Sequence, residues 1–342
     1  MTTGYEGHDL GLAAGQRTFA ADVALGLAQR PKRLPARYLY DELGSALFNA
    51  ICALPWYRVT RAETGLIAGH GRAILSSSGG FDRIIELGAG NGVKLATLLA
   101  ARPANAATLH VDLVDVSRTA LDSTVRSLRA LPAVSVACHE ATYESGMERT
   151  ARVPAEGRRT LVLFLGSNIG NFDPSSAEAL LRRIRACLGP GDALLLGADL
   201  VKPVPDLLLA YDDPLGVTAA FNRNLLVRIN RELGADFDLS RFTHRVTWDP
   251  DLSRVEMHLV SSGAHEVRIP GAGIGVQMAD GETIWTESSY KYRLADVIDM
   301  LDRAGFEASA QFLDEEVAFA LTLAAARPAR GPRLLNGGMT GR

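Results

Sequence analysis

Apolar positions along the first sixty residues recur at helical spacing. Residues 19–28 form one predicted helix and residues 41–53 another, the second with Leu43, Leu47, Phe48, Ile51 and Cys52 on one expected buried face. Pro55 stops it. The run Thr60-Arg61-Ala62-Glu63 reads as a capping box, Thr60 accepting from the Glu63 N–H and Glu63 reaching back, on a helix expected to reach about Leu75.

From Arg83 the pattern changes to short apolar strands alternating with helices. Strands are predicted over 83–87, 109–114, 134–137, 160–165 and 193–196. The helices between them span 93–101, a segment opening at Ser117, and a segment with Asp173 as N-cap and Pro174 in its first turn. Such alternation predicts a parallel sheet covered on both faces.

The alternation then stops. Residues 217–233 read as a long helix with Phe221, Leu225, Leu226, Ile229 and Leu233 on one face. Period-2 segments follow on either side of Asp249-Pro250-Asp251, the signature of a β-hairpin. Near Lys291 the chain is expected to return to the first unit, with a helix over 294–304 and strands over 308–312 and 317–322. The expectation is one domain from 63–201 and 292–326, a second from 15–62 and 202–291, and a flexible tail over 327–342.

Composition narrows the partners. The chain has 342 residues, 47% hydrophobic and 22% charged, with a formal net charge of -3. No basic block suggests nucleic acid. The longest apolar runs are too short to cross a bilayer, and residues 8–14 do not read as a signal peptide, so a cytoplasmic, monomeric protein is expected. Cys52, Cys138 and Cys187 lie far apart among apolar residues, which predicts buried free thiols rather than a disulfide framework or a zinc site. No histidine has metal-site spacing, and no metal is expected.

The candidate chemistry starts at Glu86-Leu87-Gly88-Ala89-Gly90-Asn91-Gly92, directly after a strand. A glycine turn there lets backbone approach a ligand closely, and the next helix presents unpaired N–H groups. Alone it fits NAD, FAD or S-adenosylmethionine (SAM), or a tight turn with no ligand. A dinucleotide fingerprint would need glycine where Val93 stands. Asp115 closes the next strand, where a carboxylate can accept both hydroxyls of a ribose. These features favour SAM and resemble the class I methyltransferases, an α/β Rossmann-like sheet, here with an inserted α+β substrate domain.

A more specific resemblance lies in five blocks. They are Tyr38-Leu39-Tyr40-Asp41-Glu42-Leu43-Gly44-Ser45; Leu54-Pro55-Trp56-Tyr57-Arg58 with the capping-box run; Phe164-Leu165-Gly166-Ser167-Asn168-Ile169-Gly170-Asn171-Phe172; Ala210-Tyr211-Asp212-Asp213 with Phe221-Asn222-Arg223-Asn224; and Thr286-Glu287-Ser288-Ser289-Tyr290-Lys291-Tyr292. In this order they resemble the histidine Nα-methyltransferases of ergothioneine biosynthesis, which methylate the α-amino group of L-histidine three times to give hercynine.

The resemblance implies that Gly88, Gly90, Lys94 and Asp115 contact SAM. It implies that Asn171 and Tyr211 hold the substrate carboxylate, that Tyr57, Glu287 and Ser289 hold the imidazole, and that Tyr40 and Gly166 lie near the amine. An acid–aromatic pair that contacts adenine in the family is replaced here around Glu140-Ala141, so Glu140 is the expected adenine neighbour. Arg58 stands where the family has a second aromatic. The alternatives are Nα-methylation of another amino acid such as tryptophan, an NAD-dependent oxidoreductase, and a SAM-binding regulator without turnover.

Overall fold

A computed structural model describes residues 14–151 and 159–328. Its larger sheet is built from β2 (Arg83–Leu87), β3 (Leu109–Asp115), β4 (Val134–Glu140), β5 (Thr160–Phe164), β6 (Ala193–Asp199), β12 (Phe306–Asp314) and β13 (Phe319–Ala326), in the order β12-β13-β6-β5-β2-β3-β4. Strands β2 to β6 run parallel, and β13 pairs antiparallel with both β6 and β12. This is the class I SAM-methyltransferase sheet.

The strand patterns explain the burial. β2, β5 and β6 bury every residue, because helices cover both faces. Those helices are α3 (Val59–Ser76), α4 (Val93–Ala100), α5 (Arg118–Leu128), α6 (Tyr143–Ala151), α7 (Pro174–Ala186) and α10 (Leu294–Arg303). Ser117 and Asp173 cap α5 and α7 with their side chains. One buried ion pair ties β2 to β3: Arg83 Nε donates to Asp112 Oδ2 at 2.7 Å.

Between β6 and α10 the chain adds α8 (Val204–Tyr211), α9 (Val217–Leu233), β7 (Phe242–Asp249), β8 (Arg254–Ser261), the hairpin β9 (His265–Ile269) and β10 (Ile274–Met278), and β11 (Thr283–Tyr290). The N-terminal α1 (Ala14–Ala28), β1 (Lys32–Arg33) and α2 (Glu42–Ala53) belong with these elements, since β1 completes a sheet in the order β1-β11-β8-β7. The buried positions of α9 include the five apolar residues on its expected face. No helix among the described residues is long and apolar enough to cross a membrane.

Three local expectations fail. Leu43 is 46% exposed, because α2 turns Gly44 and Ile51 inward instead. Cys138 is exposed, since β4 is the sheet's edge strand and its residues alternate outward, and Cys52 and Cys187 are only half-buried. The capping box is absent: α3 begins two residues earlier, with Arg58 at the N-cap, and Glu63 is buried in the interior rather than folded back on its own helix. α6, α8 and the β9–β10 hairpin were not anticipated. The expected tail lies outside the described residues beyond Arg327 and Pro328, as do residues 8–13.

Candidate active site

The strand order reverses between β2 and β5: β3 and β4 extend one way from β2, and β6 lies on the other side of β5. Ligands of open α/β sheets bind at such a switch point, outside the carboxyl ends of the strands. Two glycine turns stand there. The first follows β2, where Gly88, Gly90 and Gly92 all have positive φ, and the second follows β5, where Gly166 has φ of 75°. Any side chain at Gly88 would strike the Asn168 amide of the second turn, its Cβ 2.7 Å from Nδ2. The turns pack against each other and frame one cavity of about 430 Å³.

That cavity is lined by Gly88, Gly90, Lys94 and Asp115, and by Tyr40, Tyr57, Gly166 and Asn171. Asp115 Oδ1 accepts from the Ser117 N–H at 2.8 Å, and Oδ2 from the Gly90 N–H at 3.3 Å. Lining the cavity, the carboxylate can also accept from a ligand's hydroxyls. Burial raises the Asp115 carboxyl against the pull of these backbone bonds. Glu140, beside Asp115 in the sheet register, is exposed and outside the cavity lining. Tyr143, in the unanticipated α6, lines the cavity instead.

Glu86 tests whether the cavity fits SAM. Its carboxyl is buried at the end of β2, its Oε2 has no protein partner, and burial pushes it up to about 8 against the opposing pull of Lys94. A buried carboxyl without a donor costs free energy unless a ligand brings one. The α-ammonium of SAM is such a donor. Glu86, Asp115 and the glycine turn therefore suit the amino-acid end, the ribose and the close backbone approach of SAM.

A second, narrower cavity continues from the first, sharing Tyr40, Tyr57, Gly166 and Asn171, and reaches Tyr211, Glu287 and Ser289. Its walls are aromatic. Tyr40 lies edge-on to Phe48 and Phe221, each at 5.4 Å, and Tyr57 edge-on to Tyr211 at 6.3 Å. Burial holds the Tyr40 and Tyr57 phenols well above their usual range, so both are neutral hydroxyls. Met257 is buried in the core and lines the pocket wall.

Glu287 and Ser289 share one face of β11 because side chains alternate along a strand. A bulge between Trp285 and Glu287 adjusts the register just before them, a common device beside functional sites. Burial raises the Glu287 carboxyl to about 7, with the Lys291 charge pulling it down. Tyr211 Oη donates to Ser289 Oγ at 2.8 Å. The Asn168–Asn171 turn is pressed onto β11, where a Cβ at Gly170 would lie 2.7 Å from the Tyr290 carbonyl oxygen.

The two cavities thus gather every expected site residue except Glu140, from segments up to about 250 positions apart. The model of the histidine-specific, SAM-dependent methyltransferase family matches residues 19–326. The chain belongs to this family. It is 40% identical over 305 residues to the histidine N-alpha-methyltransferase of Mycolicibacterium smegmatis, covering 89% of this chain and 93% of that protein. Against the histidine N-alpha-methyltransferase of Mycobacterium tuberculosis the identity is 38% over 317 residues, with 92% and 97% covered. The L-tryptophan methyltransferase of Psilocybe serbica is 27% identical over 330 residues, covering 88% and 91%.

Within this family member, sequence reasoning left four charged groups out of the site. Lys94 Nζ lies 2.6 Å from Glu63, whose two carboxylate oxygens both accept the Gly166 N–H. Glu63 was hidden by its resemblance to a capping residue. Glu86 was noted in the glycine motif without a role. Lys291 has a readable signal, since it continues the alternation of Glu287 and Ser289. Asp199, its partner at 2.8 Å, closes β6 with nothing in its local sequence to mark it.

Proposed function

We propose that this SAM-dependent methyltransferase acts on the α-amino group of L-histidine and transfers up to three methyl groups to give hercynine, the first step of ergothioneine biosynthesis. The observation carrying this reading is the pair Glu287 and Ser289, an acceptor and a hydroxyl on one strand face, inside an aromatic pocket that opens into the cofactor cavity. An imidazole matches that pair. Residues 63–201 with 292–326 would carry the donor, and 15–62 with 202–291 the acceptor amino acid, the protein working as a cytoplasmic monomer.

The residues then have distinct tasks. Gly88, Gly90, Lys94 and Asp115, with Glu86, would hold SAM; Asn171 and Tyr211 the substrate carboxylate; Tyr57, Glu287 and Ser289 the ring. The chemistry SAM brings when bound is a methyl group on a sulfonium, open to in-line displacement by an amine lone pair. Holding the amine in line at the shared mouth of the two cavities, beside Tyr40 and Gly166, is the protein's main contribution. A free α-amino group is partly neutral near pH 8, so loss of its proton to solvent can precede each transfer and no strong base is needed. A charge-assisted hydrogen bond from the ring to Glu287 contributes about 1.5–3 kcal/mol of selectivity.

The test is incubation with SAM and a pool of the common amino acids, read by mass spectrometry. Histidine should gain methyl groups, to a final mass increase of three methylations. Methylation of tryptophan or another amino acid in its place would defeat the substrate assignment.

A further inference from the structure

Lys291 follows β11 on the same face as Glu287 and Ser289 and is 4% exposed. Its Nζ lies 2.8 Å from Asp199 Oδ2, 2.8 Å from Tyr211 Oη and 2.9 Å from Ser289 Oγ. An ammonium has three N–H donors and no acceptor, and here each donor has a partner. Burial alone would lower this ammonium's pKa, but Asp199 beside it outweighs burial and raises it. The group stays charged.

Building on the histidine reading, we infer that Lys291 is a positioning residue that fixes the direction of the Tyr211 and Ser289 hydroxyl protons and so selects a neutral imidazole. Because Lys291 can only donate, both hydroxyl oxygens must accept on that side, and their protons must point elsewhere. The Tyr211 proton goes to Ser289 Oγ. Ser289 Oγ then receives two hydrogen bonds, which fills its two acceptor positions. Its own proton is left to be offered into the cavity it lines. When the substrate carboxylate draws the Tyr211 proton away, Lys291 still fills one acceptor position of Ser289 and leaves the Ser289 proton free to turn to the bare nitrogen of the ring.

A donor at Ser289 beside an acceptor at Glu287 complements a ring with one bare nitrogen and one N–H. Neutral imidazole has both. An imidazolium would point an N–H at the Ser289 proton, and an indole has no acceptor nitrogen at all. The polarity of the pocket is therefore set from behind, by a residue that need not touch the substrate.

Lys291→Gln tests this, because an amide can accept from either hydroxyl and release the fixed direction. Asp199 keeps a partner in that variant, Lys202 Nζ at 2.6 Å from Oδ1. The histidine KM should rise at least about tenfold with kcat within about threefold, since ring anchoring far from the reacting amine acts on binding. Affinity for S-adenosylhomocysteine, measured by calorimetry, should be unchanged. In a Ser289→Ala background the same substitution should cost at least about threefold less than in the wild type, as coupled residues do. Lys291→Arg, charged and donor-only, should restore the histidine KM to within about fivefold of wild type. Unchanged KM in Lys291→Gln, equal penalties in both backgrounds, an arginine variant as poor as the glutamine one, or loss of S-adenosylhomocysteine binding would each overturn the inference. A wild-type protein that methylates some other amino acid and not histidine would instead defeat the underlying function.

Discussion

Both carboxylate oxygens of Glu63 accept the Gly166 N–H, at 2.9 and 2.8 Å, across 103 positions of sequence. One α3 side chain thus holds the turn at which the donor cavity meets the acceptor pocket. The same carboxylate lies 2.6 Å from Lys94 Nζ, on the helix after the first glycine turn. Glu63 ties the two turns of the switch point together, and a Cβ at Gly197 would lie 2.0 Å from its Oε1.

Glu63→Ala should therefore reduce both stability and cofactor binding. Removing one partner of a buried ion pair costs about 3–5 kcal/mol, because the other charge is left uncompensated. The unfolding free energy in urea should fall by roughly that amount, and S-adenosylhomocysteine affinity should fall with it. A variant with an unchanged denaturation midpoint would show that the pair is not structural.

The first glycine turn separates two requirements. Gly92, at φ of 75°, packs onto Thr124, whose Cα would lie 2.8 Å from an added Cβ; Gly90, at φ of 56°, has no atom within 4 Å of one. Gly90→Ala should lose only about 1–2 kcal/mol for its left-handed backbone. Gly92→Ala carries the same strain plus a backbone clash between the turn and α5, so it should cost clearly more. Thermal denaturation of the two variants without ligand orders them. Equal losses would show that the loop adjusts freely.

The sheet was readable from sequence because its central strands are short, mainly apolar segments between turn signals. α9 was readable because five apolar residues repeat at helical spacing. The glycine turn and Asp115 marked the cofactor side, and the family blocks marked Tyr57, Asn171, Tyr211, Glu287 and Ser289. What stayed hidden depends on tertiary contact. Glu63 sits where a capping glutamate would sit, and only the fold turns it inward to Gly166. Glu140, expected near adenine from the replaced family pair at Glu140-Ala141, lies outside the cavity lining, whereas α6 brings Tyr143 to it. Cys138 was expected inside because its neighbours Val134, Val136 and Ala137 are apolar, but an edge strand exposes alternate residues.

Glu86→Gln should raise the stability of the ligand-free protein at high pH. The folded-state pKa is about 8, above the ordinary 4.5. Between those values the folded chain keeps a proton that the unfolded chain has lost. Wild-type stability should therefore decline as pH rises through this window, at most by about 1.4 kcal/mol per pH unit, and level off above about 8. Glutamine does not titrate, so the variant should overtake the wild type by at least about 1 kcal/mol at pH 9, while binding S-adenosylhomocysteine more weakly. Parallel stability curves for the two proteins from pH 5 to 9 would contradict this assignment.

Glu287→Val should change the preferred substrate. The ionised carboxylate suits an imidazole N–H, whereas an apolar ring edge would leave it buried without a partner. Valine removes that penalty and enlarges the pocket. The ratio of kcat/KM for histidine to that for tryptophan should drop at least about tenfold, the loss of one charge-assisted hydrogen bond. Unchanged histidine kinetics would remove Glu287 from the ring site.

The pH dependence of histidine binding gives the sharper measure of the same carboxyl. In the ligand-free pocket it titrates at about 7, and its ionised form accepts from the ring about twice as strongly as the protonated one. Below that pH tight binding therefore takes a proton off the protein. Free histidine must lose one as well, since its imidazole titrates near pH 6.5 and the neutral ring is the form the pocket takes. Between pH 5 and 6, log affinity for histidine should therefore rise with a slope approaching about two in the wild type. In Glu287→Gln only the free ring titrates in this range, and the slope should fall to about one. The α-ammonium stays protonated throughout the range and does not contribute. Calorimetry on the S-adenosylhomocysteine-bound protein measures this without turnover. A slope of one in both proteins would mean that Glu287 is already ionised in the empty pocket, and that the neighbouring Lys291 charge outweighs its burial.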